Sequence, residues 1–584
     1  MSTACKTSKK QRINSAPVEK VRTLSYLKPY SGTVAAALII KFVATMAELS
    51  LPLVLDYIID EVVPTKNIYT MVYAGLIMLG AAVIAMVCNI VANRLSAKAA
   101  GNMTRDLRYA LFKKTTYLKS GQVDAFTLPS LVSRLTSDTY YVNQAVARTL
   151  RLGVRAPILL IGGLVFTFLL SWRLALVLLA CIPLIVVVLL IITAKSVPMY
   201  TRVQRSGDKS VRAMQENITG VRVIKALSKT DYEIGKYEGV NAELTSNEFK
   251  ANKLAALTNP LVTLILNLGL VGVIVVGAII SSPSGTVLAF LSYFVLILNA
   301  MLGISKIFVV LSKGVASAGR IARVLETDEK MEVVQREDGN SDYAVEFKDV
   351  CFSYNGNEDN LENASFSVRR GQTVGIIGGT GSGKTTLINL LMRFYEADSG
   401  QVFVNGRNVR SYTPEELHAL FGVAFQNDFL IADTVRANIE YFRGIGQDDI
   451  DRAVYCACAD EFINGLDGGL DYMLAQKAAN LSGGQKQRLL IARALAGNPQ
   501  ILVLDDSSSA LDYATDAQFR KRLSENYPDC TKMIVAQRVS AVKHADLILV
   551  LDDGKIVGAG THEQLMQSCE DYREISLVQM GGDL

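Results

Sequence analysis

The sequence predicts a two-part protein: an all-α half with six membrane-crossing helices, then an α/β half built on a phosphate-binding loop. Three observations predict it. Nearly all long apolar runs of the 584-residue chain fall in its first ~310 residues. Near Tyr343 the texture changes to short β-rich segments alternating with helical ones. Within that second part an apolar strand, a glycine-rich loop and a helical segment follow one another directly.

Length leaves room for two or more domains. The net charge of +5, from 60 Lys+Arg against 55 Asp+Glu, is too small an excess to argue for nucleic acid. The 8 cysteines are scattered without metal-ligand or disulfide spacing, and the lone pair Cys456 and Cys458 reads as small buried residues. Met1 to Lys28 is charged and lacks an apolar core, so no cleavable signal peptide is expected.

A bilayer-crossing helix needs roughly 20 mostly apolar residues. Six runs qualify, at about 33–55, 70–94, 148–170, 173–195, 256–280 and 285–309. The connections alternate between short and long. The two long ones run to about 50–60 residues and carry Arg105, Arg108, Lys113, Lys114 and Lys119, then Arg202, Arg205, Lys209, Arg212 and Arg222. The positive-inside rule therefore puts the N-terminus and both long connections in the cytoplasm. Both keep helical spacing with few breakers, so the spans are expected to continue as two helical hairpins beyond the bilayer. Ahead of the first span, Val18, Val21, Leu24 and Leu27 share a face in a basic stretch, which suits an interfacial helix; a solvated basic tail is the plainer alternative.

Polar groups inside spans are costly and mark candidate sites. Lys41 and Glu48, seven residues apart on one face of the first span, are expected to pair or to line a substrate pathway, with interhelix hydrogen bonding or snorkelling from a span end as the plainer reading of Glu48. Asn267 and Asn299 are weaker candidates, with interhelix hydrogen bonding as the plainer reading.

In the soluble half, Gly378-Gly379-Thr380-Gly381-Ser382-Gly383-Lys384-Thr385 fits GxxxxGK[ST], with Thr386 opening the helical run. Glycines let backbone N–H groups surround a phosphate at a helix N-terminus. Lys384 can bridge the β- and γ-phosphates, and Thr385 can ligate Mg²⁺. About 120 residues on, the segment Gln500–Asp506 carries four apolar residues expected to form a buried strand, followed by an acid, Asp505, suited to hold that Mg²⁺ through water. Between them lies Leu481-Ser482-Gly483-Gly484-Gln485.

A phosphate loop, then LSGGQ, then an apolar strand ending in acid resembles the nucleotide-binding domain of the ATP-binding cassette (ABC) superfamily. With six spans fused ahead of it, the chain resembles an ABC exporter half-transporter over nearly its whole length. The resemblance implies a P-loop NTPase fold at 343–584, a transmembrane domain at 30–325 and an N-terminal tail at 1–29. It implies ATP sandwiched head to tail between two cassettes, with Ser482 and the glycine N–H groups on the partner's nucleotide. Tyr354 matches the aromatic that stacks on adenine. Gln426 matches the glutamine that touches Mg²⁺ and the attacking water, and Asp512 matches the acid of the loop that crosses to the partner. The segments around Ser120–Arg134 and Gln215–Lys225 would be coupling elements against the cassettes.

The sequence departs from the family at two catalytic positions. Asp506 stands where most members carry the glutamate that polarises the attacking water, and Gln537 stands where a histidine usually contacts the γ-phosphate. Gln476 stands where a glutamate usually precedes LSGGQ. Asp506 and Gln537 impair the half-site around this chain's own loop, while its LSGGQ is intact. This pattern resembles the degenerate-site subunit of a heterodimeric bacterial multidrug exporter, a plasma-membrane protein paired with a sister half-transporter and in contact with membrane lipid and a small amphipathic substrate. A nucleotide-gated regulator and a slow homodimeric exporter of lipid or peptide are the alternatives.

Overall fold

The computed structural model describes residues 23–328, 331–356, 358–426, 429–507 and 511–580. They group into two compact units. Of the described residues, one takes those within 23–116 and 129–327, the other those within 117–128 and 328–580.

The first unit is all helical. Its helices are α1 (Ser31–Tyr57), α2 (Ile68–Thr116), α4 (Leu128–Ser133), α5 (Thr139–Arg148), α6 (Arg155–Leu170), α7 (Trp172–Thr219), α8 (Val221–Ala226), α9 (Thr230–Ala256), α10 (Thr258–Ile279) and α11 (Ser284–Leu325); α3 (Ser120–Phe126) lies in the other unit. Among the described residues, six segments are long and apolar enough to cross a bilayer, at 23–65, 68–116, 128–170, 172–219, 230–279 and 284–304, each overlapping a span expected from sequence. At 49 and 48 residues, α2 and α7 each rise ~70 Å, more than twice the roughly 30 Å of bilayer core.

Side-chain bonds join these long helices to their neighbours. Asn143 of α5 donates to the Ala100 carbonyl (3.1 Å) and to Thr104 Oγ1 (3.0 Å) on α2. Asn247 of α9 donates to Ser206 Oγ on α7 (2.7 Å), and Lys209 pairs with Glu243 (3.2 Å). The tip between α7 and α9 is α8, whose Val221 and Val223 are exposed. Where α11 passes α5, a Cβ on Gly314 would lie 2.3 Å from Ala145 Cβ, so only glycine permits that approach.

The expected pairing of Lys41 with Glu48 is not formed. The buried Lys41 ammonium donates to Asn89 Oδ1 (2.8 Å) and Asn93 Oδ1 (3.1 Å) of α2. Glu48 is bonded in a bidentate pair by Arg155, the first residue of α6. Seven residues is about two helical turns, ~10 Å of rise, so neighbouring helices offer nearer partners. Asn267 and Asn299 are exposed on α10 and α11. Before α1, Thr23–Tyr30 form a 3₁₀ helix, in which Leu24 and Leu27, three apart, align on one face. Val18 and Val21 lie outside the described residues.

The second unit carries two sheets. An antiparallel one has the order β2 (Leu361–Arg369), β1 (Tyr343–Phe352), β4 (Ser399–Val404), β5 (Arg407–Asn408). The other has the order β10 (Lys555–Gly560), β9 (Leu547–Asp552), β3 (Thr373–Gly378), β8 (Thr531–Ala536), β7 (Ile501–Asp505), β6 (Phe421–Ala424), parallel except for β10. Every residue of β7 and β8 is buried, as expected for apolar parallel strands covered on both faces. The remaining helices are α12 (Lys384–Leu391), α13 (Pro414–His418), α14 (Val435–Glu440), α15 (Gln447–Cys456), α16 (Asp460–Asn464), α17 (Gly483–Ala496), α18 (Tyr513–Asn526), α19 (Val539–Val542), α20 (His562–Ser568) and α21 (Glu570–Met580). Asp505 pairs with Val535 and Ile377 with Ala536, so β3, β7 and β8 end along one edge, where such sheets place ligands.

Candidate nucleotide site

The phosphate loop joins β3 to α12 at that edge. Gly381 and Gly383 lie in the left-handed region, at φ 86° and 99°. A Cβ on Gly383 would also lie 2.7 Å from the Asn360 carbonyl, so this position is closed to side chains on two counts. Gly379, Thr380 and Gly381 are exposed, whereas Ser382 and Thr386 are buried. Lys384 folds back over the loop and donates to the Gly378 carbonyl (2.9 Å), the Gly379 carbonyl (2.6 Å) and Ser382 Oγ (3.3 Å). Burial holds its ammonium below the usual lysine range, against the pull of Asp505 and Asp506.

Asp505 closes β7 and is buried. Thr385 lies beside its carboxylate and favours the ionised form. Burial, and next the charge of Asp506, push it above the usual carboxylate range. Two hard oxygen donors, a carboxylate and a hydroxyl, therefore stand together at the strand end, the donor chemistry that Mg²⁺ takes alongside phosphate oxygens.

Asp506 sits just past the strand with φ 49°, a left-handed backbone that aspartate tolerates better than most residues. Burial pushes its carboxyl above the usual carboxylate range too, while Gln426, whose Nε2 donates to Asp506 Oδ2 at 3.2 Å, opposes the shift. Gln537 follows β8, and its side chain is exposed. Tyr354 is half-exposed. It accepts from Asn389 of α12 through its hydroxyl (3.0 Å) and meets the Tyr395 ring edge-on at 4.9 Å. Tyr395 in turn donates its hydroxyl to Asp124 of α3. Residues 120–126, read from sequence as part of a coupling element, thus bond to a ring that touches Tyr354.

LSGGQ opens α17. Ser482 Oγ accepts from the Gln485 N–H (3.3 Å) and Gln485 Oε1 accepts from the Ser482 N–H (2.8 Å), a capping box written by the motif itself. Leu481 is buried, Gly483 has open space around its Cα, and Gly484 lies in the first turn. Asp512 caps α18 by accepting from the Thr515 N–H at 2.7 Å, a bond that holds its carboxyl below the usual range. Gln476 begins a 3₁₀ turn whose next residues, Lys477 and Ala478, both have positive φ.

Sequence reasoning missed Arg155, a charged residue inside the third predicted span that partners Glu48, and the amides of Asn89 and Asn93. Their signal was a polar residue within an apolar run, the same signal that exposed Lys41.

A phosphate-loop cassette fused to six bilayer-length helices defines a membrane protein that couples nucleotide binding to movement across a bilayer. Family models agree with that class: the ABC transporter transmembrane region matches residues 34–301, and the ABC transporter domain matches residues 361–509. An uncharacterized ABC transporter ATP-binding protein of Mycobacterium tuberculosis is 34% identical over 573 residues, covering 95% of this chain and 97% of the relative. One from Bacillus subtilis is 33% identical, covering 96% and 98%. The ATP-dependent lipid A-core flippase of Vibrio vulnificus is 28% identical, covering 96% and 97%. Among solved structures, a bacterial Atm1-family ABC exporter with ATP bound shares the fold, with TM-score 0.79, 22% identity and coverage of 95% and 98%. The chain belongs to the ABC transporter family and is a multi-pass membrane protein with an ATP-binding domain.

Proposed function

We propose that the chain is one half of a heterodimeric ATP-driven exporter whose own nucleotide site binds ATP well and cleaves it poorly. The observation that carries this reading is the pairing of Asp506 and Gln537 in one half-site with an intact LSGGQ at the start of α17. Aspartate is one methylene shorter than glutamate, and a shift of about 1 Å in a group that positions water can cost ~10²-fold in rate. Glutamine can donate a hydrogen bond but carries no titratable proton near neutral pH. In a head-to-tail pair, this chain's LSGGQ serves the partner's loop. A homodimer would carry two impaired sites and a heterodimer only one, so an unlike partner with the usual glutamate and histidine is favoured.

In this reading Gly378–Thr386 cradle the phosphates, Lys384 neutralises them and Tyr354 stacks on adenine. Asp505, Thr385 and Gln426 would hold Mg²⁺, which screens charge between the phosphates. Residues 1–29 form the N-terminal tail, 30–325 the transmembrane domain and 343–584 the cassette, with tail and cassette on the cytoplasmic side of the plasma membrane. Lys41, Glu48, Asn267 and Asn299 are the candidate pathway residues. The substrate class is a small amphipathic molecule, and the kinship with a lipid A-core flippase keeps lipid-like amphiphiles within it.

Vesicles containing the chain and its partner test the proposal. Replacing the partner's catalytic glutamate should abolish ATP-driven uptake of an amphipathic dye, and Asp506→Ala should reduce it only modestly. Equal loss from both replacements, or full transport by this chain alone, would sink the asymmetric reading.

A further inference from the structure

β8 ends at Ala536 and α19 begins at Val539, so Gln537 and Arg538 form a two-residue crossing. Val539, Ala541 and Val542 are buried, whereas Gln537 and Arg538 are exposed. A helix start leaves N–H groups without internal partners, and Arg538 at the N-cap makes no side-chain cap bond. The cap comes from far along the chain. Gln579 Oε1 accepts from the Val539 N–H at 2.8 Å, and Gln579 Nε2 donates to the Gln537 carbonyl at 2.9 Å. One carboxamide thereby grips the backbone on both sides of Arg538. A carboxylate would lack the donor and an ammonium the acceptor.

The gripping residue is itself firmly placed. Tyr572, Ile575, Ser576 and Gln579 fall at i, i+3, i+4 and i+7 on α21 and so share one face. Tyr572 and Ser576 are buried, and the Tyr572 hydroxyl bonds His562 Nδ1 at 2.9 Å. Gln579 is the last described residue of that face and is exposed, so it is not needed to fill the core.

We propose that Gln579 is a positioning residue for Gln537: its amide fixes the backbone around Gln537 so that the exposed side chain is presented to the terminal phosphate of ATP. The position of α21 then becomes an input to the nucleotide site. The proposal rests on the reading of Gln537 as a nucleotide-facing residue.

Two measurements on the transporter purified with its partner test it, with the partner's catalytic glutamate replaced so that release alone is followed. Hydrogen exchange at the Val539 amide reads the clamp directly. The dissociation rate of radiolabelled ATP from this chain reads its consequence. Gln579→Ala and the near-isosteric Gln579→Met should each speed Val539 exchange and raise the ATP release rate about tenfold, the scale of one or two net hydrogen bonds. In a Gln537→Ala background the same substitutions should leave release unchanged, because the residue being positioned is gone. Unchanged Val539 exchange, or an equal effect on release in the Gln537→Ala background, overturns the proposal while leaving the nucleotide site standing. Failure of the unmodified chain to retain labelled ATP overturns the nucleotide reading itself, and the proposal with it.

Discussion

Asp506 combines two constraints. Its φ of 49° favours a short polar side chain, and its carboxylate reaches Gln426 at 3.2 Å. Lengthening it alone leaves the second substitution in place, so both must be reversed together. Asp506→Glu combined with Gln537→His should raise single-turnover ATP cleavage on this chain by ~10²-fold with the partner's site blocked, as read by release of labelled phosphate. The cysteines give a second residue-scale expectation. Burial pushes the Cys456 thiol up to about 12 and the Cys530 thiol up to about 11. Both stay neutral in the folded state at pH 8, so alkylation by iodoacetamide followed by mass spectrometry should leave them unmodified until the cassette unfolds. Their raised values also fix a sign. The contribution to stability is complete below the ordinary thiol range near 8.5 and is lost as pH rises toward 11–12, because only the unfolded chain ionises in between.

At the scale of elements, α1 is tied to its neighbours by polar side chains rather than by apolar packing alone. Glu48 and Arg155 bridge α1 and α6, and Lys41 bridges α1 and α2. Removing one member of this half-buried ion pair strands the other. Glu48→Met should therefore destabilise the folded protein by about 2 kcal/mol, less than for a fully buried pair, and the double replacement Glu48→Met with Arg155→Met should recover most of that loss. Thermal midpoints in detergent measure both. In the cassette, the capping box at Ser482 and Gln485 was readable from spacing, since S-x-x-Q ahead of an apolar run is a local signal. The link from Tyr354 through Tyr395 to Asp124 was not. Asp124 and Tyr395 lie 271 residues apart, and no local pattern connects them.

At the scale of the whole molecule, the charge of the long connections predicts orientation. In a chain whose native cysteines are replaced, Lys66→Cys and Ser281→Cys, in short connections, should react with a membrane-impermeant maleimide on intact cells. Ser228→Cys, at the tip between α8 and α9, should react only after permeabilisation. The reverse pattern would invert the topology.

The sequence by itself determined the six spans, the phosphate loop and the acid at the end of β7. Each is a short-range pattern: an apolar run long enough for a bilayer, a helical period, or a glycine-rich turn between strand and helix. It also exposed Asp506 and Gln537 as departures from the residues usual at those family positions, because identity at a motif position is a one-residue fact. Only the tertiary structure decided which polar groups meet. It sent Lys41 to Asn89 and Asn93, gave Glu48 to Arg155, folded Lys384 onto its own loop, and brought Gln579 to the backbone beside Gln537. A buried donor takes whichever acceptor the packing of distant elements puts within 3 Å of it, and spacing along the chain carries no record of that choice.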